Sequence, residues 1–194
     1  MCSKQLRGRP RQAELDRRIL EAALRLLAEG GYAHMSLDDV ATAAHTTRAT
    51  IYLRYASKAA LVADAILHAR GASGLPKPSG NLRQDLVTQL RHFRVSMDTP
   101  YSLAIIGSAL AEERATPELL ATLREHIVRS RREMLHTILY EAQTRNELAP
   151  QANIELAVSQ FVGSYYALVI AGDPIPPDWP ELLVDQVLSG LLPG

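Results

Sequence analysis

Residues 36–61 read SLDDVATAAHTTRATIYLRYASKAAL, and the fold of the chain is decided in this stretch. Ser36 followed by Asp39 has the form of a capping box, and Leu37, Val40, Ala41 and Ala44 make a short apolar stripe at helical spacing. His45-Thr46-Thr47 interrupts for three residues, and Thr47 is a good N-cap for a second short helix, Arg48 to Arg54, with Ile51 facing inward. Tyr55-Ala56 interrupts again, and Ser57 caps a longer helix carrying Leu61, Val62, Ala65, Ile66 and Ala69. Upstream, Leu15, Ile19, Ala22, Ala23, Leu26 and Leu27 recur at helical spacing. Gly30-Gly31 is expected to stop that helix, because glycine takes the left-handed conformation cheaply.

Two short helices joined by a three-residue turn on a supporting helix have the form of a helix-turn-helix. In that motif the second helix lies in the DNA major groove and the first crosses the backbone. Two short helices also occur in any bundle, so the side chains must arbitrate. Thr46, Thr47, Arg48, Thr50, Tyr52 and Arg54 offer hydroxyl and guanidinium groups, the types that hydrogen-bond phosphates and base edges. Ser36 and Lys58 stand at or beside helix N-termini, where backbone amides and the helix dipole already favour a phosphate.

Charge agrees once it is resolved by position. The 194 residues hold 21 basic and 21 acidic side chains, a formal net charge of zero. Residues 1–60 alone carry ten basic and six acidic side chains, leaving the remainder at −4. A basic front and an acidic back point to nucleic acid or an anionic surface. The only cysteine is Cys2, which excludes a disulfide framework and a cysteine zinc site. No apolar run is expected to reach the ~18 residues of a membrane span. The basic N-terminus lacks the apolar segment of a secretory signal, so a cytoplasmic location without a membrane partner is expected.

Beyond residue 70 the chain resumes as helices. Residues 71–80 hold three glycines and two prolines and read as a linker. Helix starts are expected at Asn81, at Thr99-Pro100 and at Thr116-Pro117-Glu118, the last opening a long helix to about Arg145. Asn153 to Ala171 is strongly apolar and ends at Gly172, and Asp178 caps a final helix to about Leu192. No stretch alternates with period two. The reading is all-α, about nine helices, with an N-terminal three-helix helix-turn-helix domain at 1–70 (1–11 a basic arm) and a helical domain at 71–194.

The residues of the quoted stretch, from Ser36-Leu37-Asp38-Asp39-Val40-Ala41 through Ile51-Tyr52 to Tyr55-x-Ser57-Lys58-x-x-Leu61, resemble the signature of the tetracycline-repressor (TetR/AcrR) family. Arg145 to Pro150 likewise resembles a turn of one of its C-terminal types. The resemblance implies a DNA-binding domain joined to a helical domain for effector binding and dimerisation. It implies a homodimeric repressor, released from a palindromic operator in double-stranded DNA by a small-molecule effector. By position it puts Tyr52 and Lys58 on phosphates with Ser36 assisting, and Thr46, Thr47, Arg48 and Thr50 at the major groove. His45 stands where the family usually has glycine, so a left-handed turn there would be strained or the turn differently shaped. Arg54-Tyr55 replaces a common Tyr-Phe pair and adds a charge near the DNA.

The arm holds Arg7-Gly8-Arg9-Pro10-Arg11, which resembles the Arg-Gly-Arg-Pro core of minor-groove AT-hook peptides. Arg7, Arg9 and Arg11 are therefore candidates for the adjacent minor groove, whose negative potential attracts arginine. Candidate pocket residues are Phe93, Met97, Tyr101, Met134, Tyr140, Tyr165 and Tyr166, large adaptable side chains that equally suit a core. Candidate interface residues are Phe161, Val162, Gly163, Leu182, Leu183 and Val187 on the two last apolar helices. No metal-ligand spacing, nucleophile elbow or phosphate-cradling glycine loop stands out, so no catalytic residue, metal or cofactor is assigned. The competing readings are an all-α enzyme or small-molecule carrier with an incidental basic face, and a constitutive DNA-binding protein without effector.

Overall fold

A computed structural model describes residues 9–69, 74–98 and 101–192, with residues 9–11 described by their backbone alone. Arg7 lies outside the described residues, as do the side chains of Arg9 and Arg11 and the helix start at Thr99-Pro100. The described residues contain no strand and run through α1 (Arg9–His34), α2 (Leu37–Ala43), α3 (Arg48–Tyr52), α4 (Lys58–Ala69), α5 (Leu82–Met97), α6 (Ser102–Ala111), α7 (Pro117–Leu123), a π-helical turn (Arg124–Val128), α8 (Arg129–Thr144), α9 (Ile154–Ala171) and α10 (Trp179–Ser189). Residues 117–144 follow without a break, so the described residues hold nine helices when that run counts as one.

Local chemistry sets most boundaries. Ser36, Thr47 and Asn153 each accept the backbone N–H three residues on, at 3.1, 3.2 and 3.0 Å. Ser57 caps α4 through the Ala60 amide and Asn81 caps α5 through the Gln84 amide. Gly172 closes α9 in the left-handed conformation, with φ 76°. One expectation changes at α1: it begins at Arg9, inside the stretch read as an arm. The stop expected at Gly30-Gly31 falls at Gly31, which takes φ 74° and ψ 170°, and a further helical turn follows to His34.

The packing forms two compact units: Met1–Ser73 with Asp98–Val128, and Gly74–Met97 with Arg129–Gly194. A cut at residue 70 thus follows chain order but not packing. In the first unit α1 packs on α2, α4 and α6, and α4 packs on α7. Ile19, Ala23, Leu27, Val40, Ile51, Leu61 and Val62 share one core with Ile105, Ala109, Leu119 and Leu123, which is why 98–128 belongs there. In the second unit α5 packs on α8, α8 on α9, α9 on α10 and α10 back on α5. Phe93, Leu135, Leu139, Phe161, Tyr165, Trp179 and Val184 fill that core.

Candidate nucleic-acid interface

Helix α3 has five residues, too few to be stable on its propensity alone, and is held in place by packing and capping. Ile51, fully buried, anchors it on the core, and the Thr47 hydroxyl caps its start and lies 2.8 Å from the Thr50 hydroxyl. The turn before it closes through Thr46 N–H to Ala41 O at 2.9 Å and His45 N–H to Thr42 O at 3.1 Å. His45 takes φ 51°, so the turn is left-handed although the residue is not glycine. With Ile51 inward, Arg48, Ala49, Tyr52 and Leu53 are left exposed along one face.

On that face the Arg48 Nη1 donates to Asp38 Oδ2 of α2 at 2.6 Å, and its Nη2 donates to the Tyr52 hydroxyl at 3.1 Å. The hydrogen bond to Tyr52 and the charge of Asp38 hold the guanidinium in its protonated form. Both members of the ion pair are exposed, so solvent screens the attraction and the pair yields readily to a better partner. Ser36 exchanges two hydrogen bonds with Asp39, accepting its N–H and donating to its carboxylate at 2.5 Å. Thr46 and Thr50 are half-buried beside them.

Two expected DNA residues are placed differently. Arg54 Nε donates to Asp16 Oδ1 at 2.6 Å and its Nη1 to Thr50 O at 3.1 Å, with the side chain mostly covered. It locks the end of α3 onto α1, rather than adding a free charge at the DNA. Lys58 turns inward: its Nζ donates to Tyr32 O at 2.6 Å and Met35 O at 3.1 Å, over the Tyr32 ring at 4.0 Å. Burial pulls its pKa down, and the Glu112 carboxylate opposes that. Two of its three N–H donors are thus taken by backbone carbonyls. Sequence reading passed over Ala49 and Leu53, whose signal was their place four residues apart, each two residues from the inward Ile51.

The structure splits the expected pocket residues. Phe93, Met97, Tyr165 and Tyr166 come together: the Phe93 ring lies 5.2 Å from Tyr165 and 6.0 Å from Tyr166, with Trp179 5.6 Å from Tyr165. The Tyr166 hydroxyl lies 3.8 Å from the Met97 sulfur. Tyr101 is not among them, since it packs on the core of the first unit. Tyr140 is exposed, and Met134 lines a separate open cleft of about 620 Å³ with Leu75, Pro78 and Thr137. The interface residues divide as well. Phe161 and Val187 are buried inside their own unit, because they point to the side of α9 and α10 that packs on neighbouring helices. Val162, Gly163, Leu182 and Leu183 keep exposed surface.

Helix α9 corrects a further expectation. Its 18 residues are long and apolar enough to cross a membrane by length and composition, because the serines, glutamine and glycine between its apolar residues interrupt without adding charge. Four of its residues are fully buried in its own fold and six more are half-buried. Among the described residues no group of three or more His, Cys, Asp or Glu side chains is placed to hold a metal ion.

Residues 19–65 match the family model described as "Bacterial regulatory proteins, tetR family", and residues 76–187 match "Tetracyclin repressor-like, C-terminal domain". The HTH-type transcriptional regulator YdeS of Bacillus subtilis is 30% identical over 95% of this chain and 93% of its own. Among solved structures, the flavonoid-responsive regulator FrrA has a TM-score of 0.72 at 23% identity, covering 93% of this chain and 98% of that one. The TetR family transcription regulator SCO0332 has a TM-score of 0.66 at 26% identity, over 93% and 100%. A helix-turn-helix anchored by Ile51, on an all-α chain whose two parts match the two domains of one family, makes this protein a member of the TetR family of DNA-binding transcriptional regulators.

Proposed function

We propose that the protein is a cytoplasmic, homodimeric repressor, held on a palindromic operator by α3 and released by a small-molecule effector. The observation that carries the reading is the outward face of α3, where Arg48, Ala49, Tyr52 and Leu53 stand exposed on an anchored helix. Thr46, Thr47, Arg48 and Thr50 line the major groove, while Tyr52, Ser36 and the remaining donor of Lys58 take phosphates. Arg7, Arg9 and Arg11 reach the neighbouring minor groove.

A second copy supplies what α9 lacks. Val162, Gly163 and Leu182 keep surface exposed on two helices at the end of the chain, and 8 of the 18 residues of α9 are exposed. A two-fold dimer then meets two half-sites about one helical turn apart. The aromatic group of Phe93, Tyr165, Tyr166 and Trp179 offers an apolar effector its wall. To move the population from 1:99 to 99:1, an effector must prefer the released state by ~5.5 kcal/mol.

Footprinting the DNA that flanks its own gene tests the reading. Protection of two related half-sites, weakening steeply as salt rises, is the expected result. Absence of any salt-dependent protection overturns it.

A further inference from the structure

The break in α1 leaves a joint that other helices must complete. At Gly31 the backbone leaves the helical region with φ 74° and ψ 170°, and the amides just beyond it turn to side chains of α6 and of its C-cap, Glu112. Tyr32 N–H donates to Ser108 Oγ at 3.0 Å, and Ala33 N–H donates to Glu112 Oε1 at 2.9 Å. These two oxygens come so close that a Cβ at position 31 would lie 3.3 Å from each. On the acceptor side, Lys58 of α4 takes the carbonyls of Tyr32 and Met35. Three side chains, from 23 to 79 residues distant in sequence, thus hold the backbone polar groups of a single turn.

The DNA-reading element begins where that turn ends. Ser36, the N-cap of α2, comes directly after Met35, and α2 packs on α3. The direction in which the chain leaves residues 32–35 therefore sets where α2 and α3 stand on α1. Tyr32 N–H and the Tyr32 and Met35 carbonyls are partly buried, where a lost partner is costly, while Ala33 lies at the exposed edge of the joint; together the four bonds favour one arrangement of the turn. Neither Ser108 nor Glu112 lies in the 19–65 stretch that carries the helix-turn-helix match.

We propose that Ser108 and Glu112 are positioning residues for DNA binding: by accepting the two amides released at Gly31, they set the entry of α2 and, through it, the orientation of the recognition helix. The inference rests on the DNA-binding reading given above. It makes the DNA-reading unit discontinuous in sequence, with α6 as one of its parts.

The test uses the full-length protein and a duplex carrying the footprinted half-sites, with Kd read by fluorescence anisotropy at several salt concentrations. Ser108→Ala/Glu112→Ala is expected to bind about tenfold more weakly while folded, with its salt slope unchanged because no phosphate contact is lost. Ser108→Thr and Glu112→Gln keep the acceptors and are expected to stay within about twofold of wild type. If the double variant melts below the assay temperature, Glu112→Ala alone is read, with a loss of about three- to fivefold expected. Wild-type affinity in the folded alanine variants, or an equal loss in the conservative ones, overturns the proposal. A wild-type protein without salt-dependent affinity for any duplex overturns the DNA-binding reading and this inference together.

Discussion

Arg48 and Asp38 meet at 2.6 Å across the two helices of the DNA-reading motif, and both stay exposed to solvent. An arginine on the recognition helix is thus held in one place by an acid whose own charge repels phosphate. Replacing Asp38 by Asn removes that competition. Asp38→Asn is expected to tighten DNA binding about two- to fivefold, most at low salt, as fits an exposed and well-screened pair. A titration in which the variant bound more weakly would show instead that Asp38 orients Arg48 for the base.

His45 holds a left-handed conformation, at φ 51°, that glycine adopts without strain. His45→Gly is expected to stabilise the fold by about 0.5–1 kcal/mol, the relieved strain exceeding the added freedom of the unfolded chain. Thermal melting should rise by roughly 1–4 °C with operator affinity unchanged. A fall in melting temperature would mean that the His45 side chain contributes contacts outweighing the strain.

Leu53 is 85% exposed on the outward face of α3, where the natural apolar partner on DNA is the C5-methyl of thymine. Uracil in place of thymine at the contacted step should weaken the wild-type complex about fourfold, near the ~0.8 kcal/mol of one buried methyl. In Leu53→Ala the thymine–uracil difference should vanish. A difference that survived the substitution would assign the methyl to another residue.

Asp85, buried at the start of α5, accepts Ser79 N–H at 2.8 Å, the Ser79 hydroxyl at 2.7 Å and Gly80 N–H at 2.9 Å. Burial pushes its pKa up, but the Ser79 and Gly80 hydrogen bonds, with Arg145, bring it below the usual carboxylate range. Its contribution to stability is present above the unfolded-state value of ~3.9 and is lost as pH falls through the lower folded value. The melting-temperature gap between wild type and Asp85→Asn should be widest above about pH 4 and close in more acid solution. A gap independent of pH would mean that packing, not the charge, explains it.

Leu182 keeps 56% of its surface exposed on α10. Leu182→Glu should leave the protomer folded, since the side chain faces water there, while lowering the mass seen by light scattering from dimer towards monomer. A dimer of unchanged stability would move the interface away from this face.

Much of the fold was legible because its signals are local. Ser36, Thr47, Ser57, Asn81 and Asn153 cap helices through amides three residues away, and the sequence displays both partners side by side. The misplaced residues are those whose partners are remote. Arg54 meets Asp16 and Lys58 meets Tyr32 and Met35 only after α1 has folded back on α3 and α4. Gly31 was legible as a departure from helix, but not the continuation to His34, which Ser108 and Glu112 support from 76 and 79 residues away. Phe161 and Val162 show a different barrier: on a helix with apolar residues on every side, composition does not say which face its own fold covers.

The division of the first unit across residues 98–128 also governs the order in which the protein can be made. On the ribosome α1 to α4 emerge first, yet Ile105, Ala109, Leu119 and Leu123, which complete their core, come only after α5 has passed. At ~5–20 residues per second the first four helices wait roughly 3–12 seconds for the segment that closes them. During that interval their apolar faces stand open to chaperones and to neighbouring nascent chains. A messenger cut short near residue 70 would release the recognition helix on an unfinished core, so the cell would gain a target for proteolysis rather than a stray DNA-binding fragment.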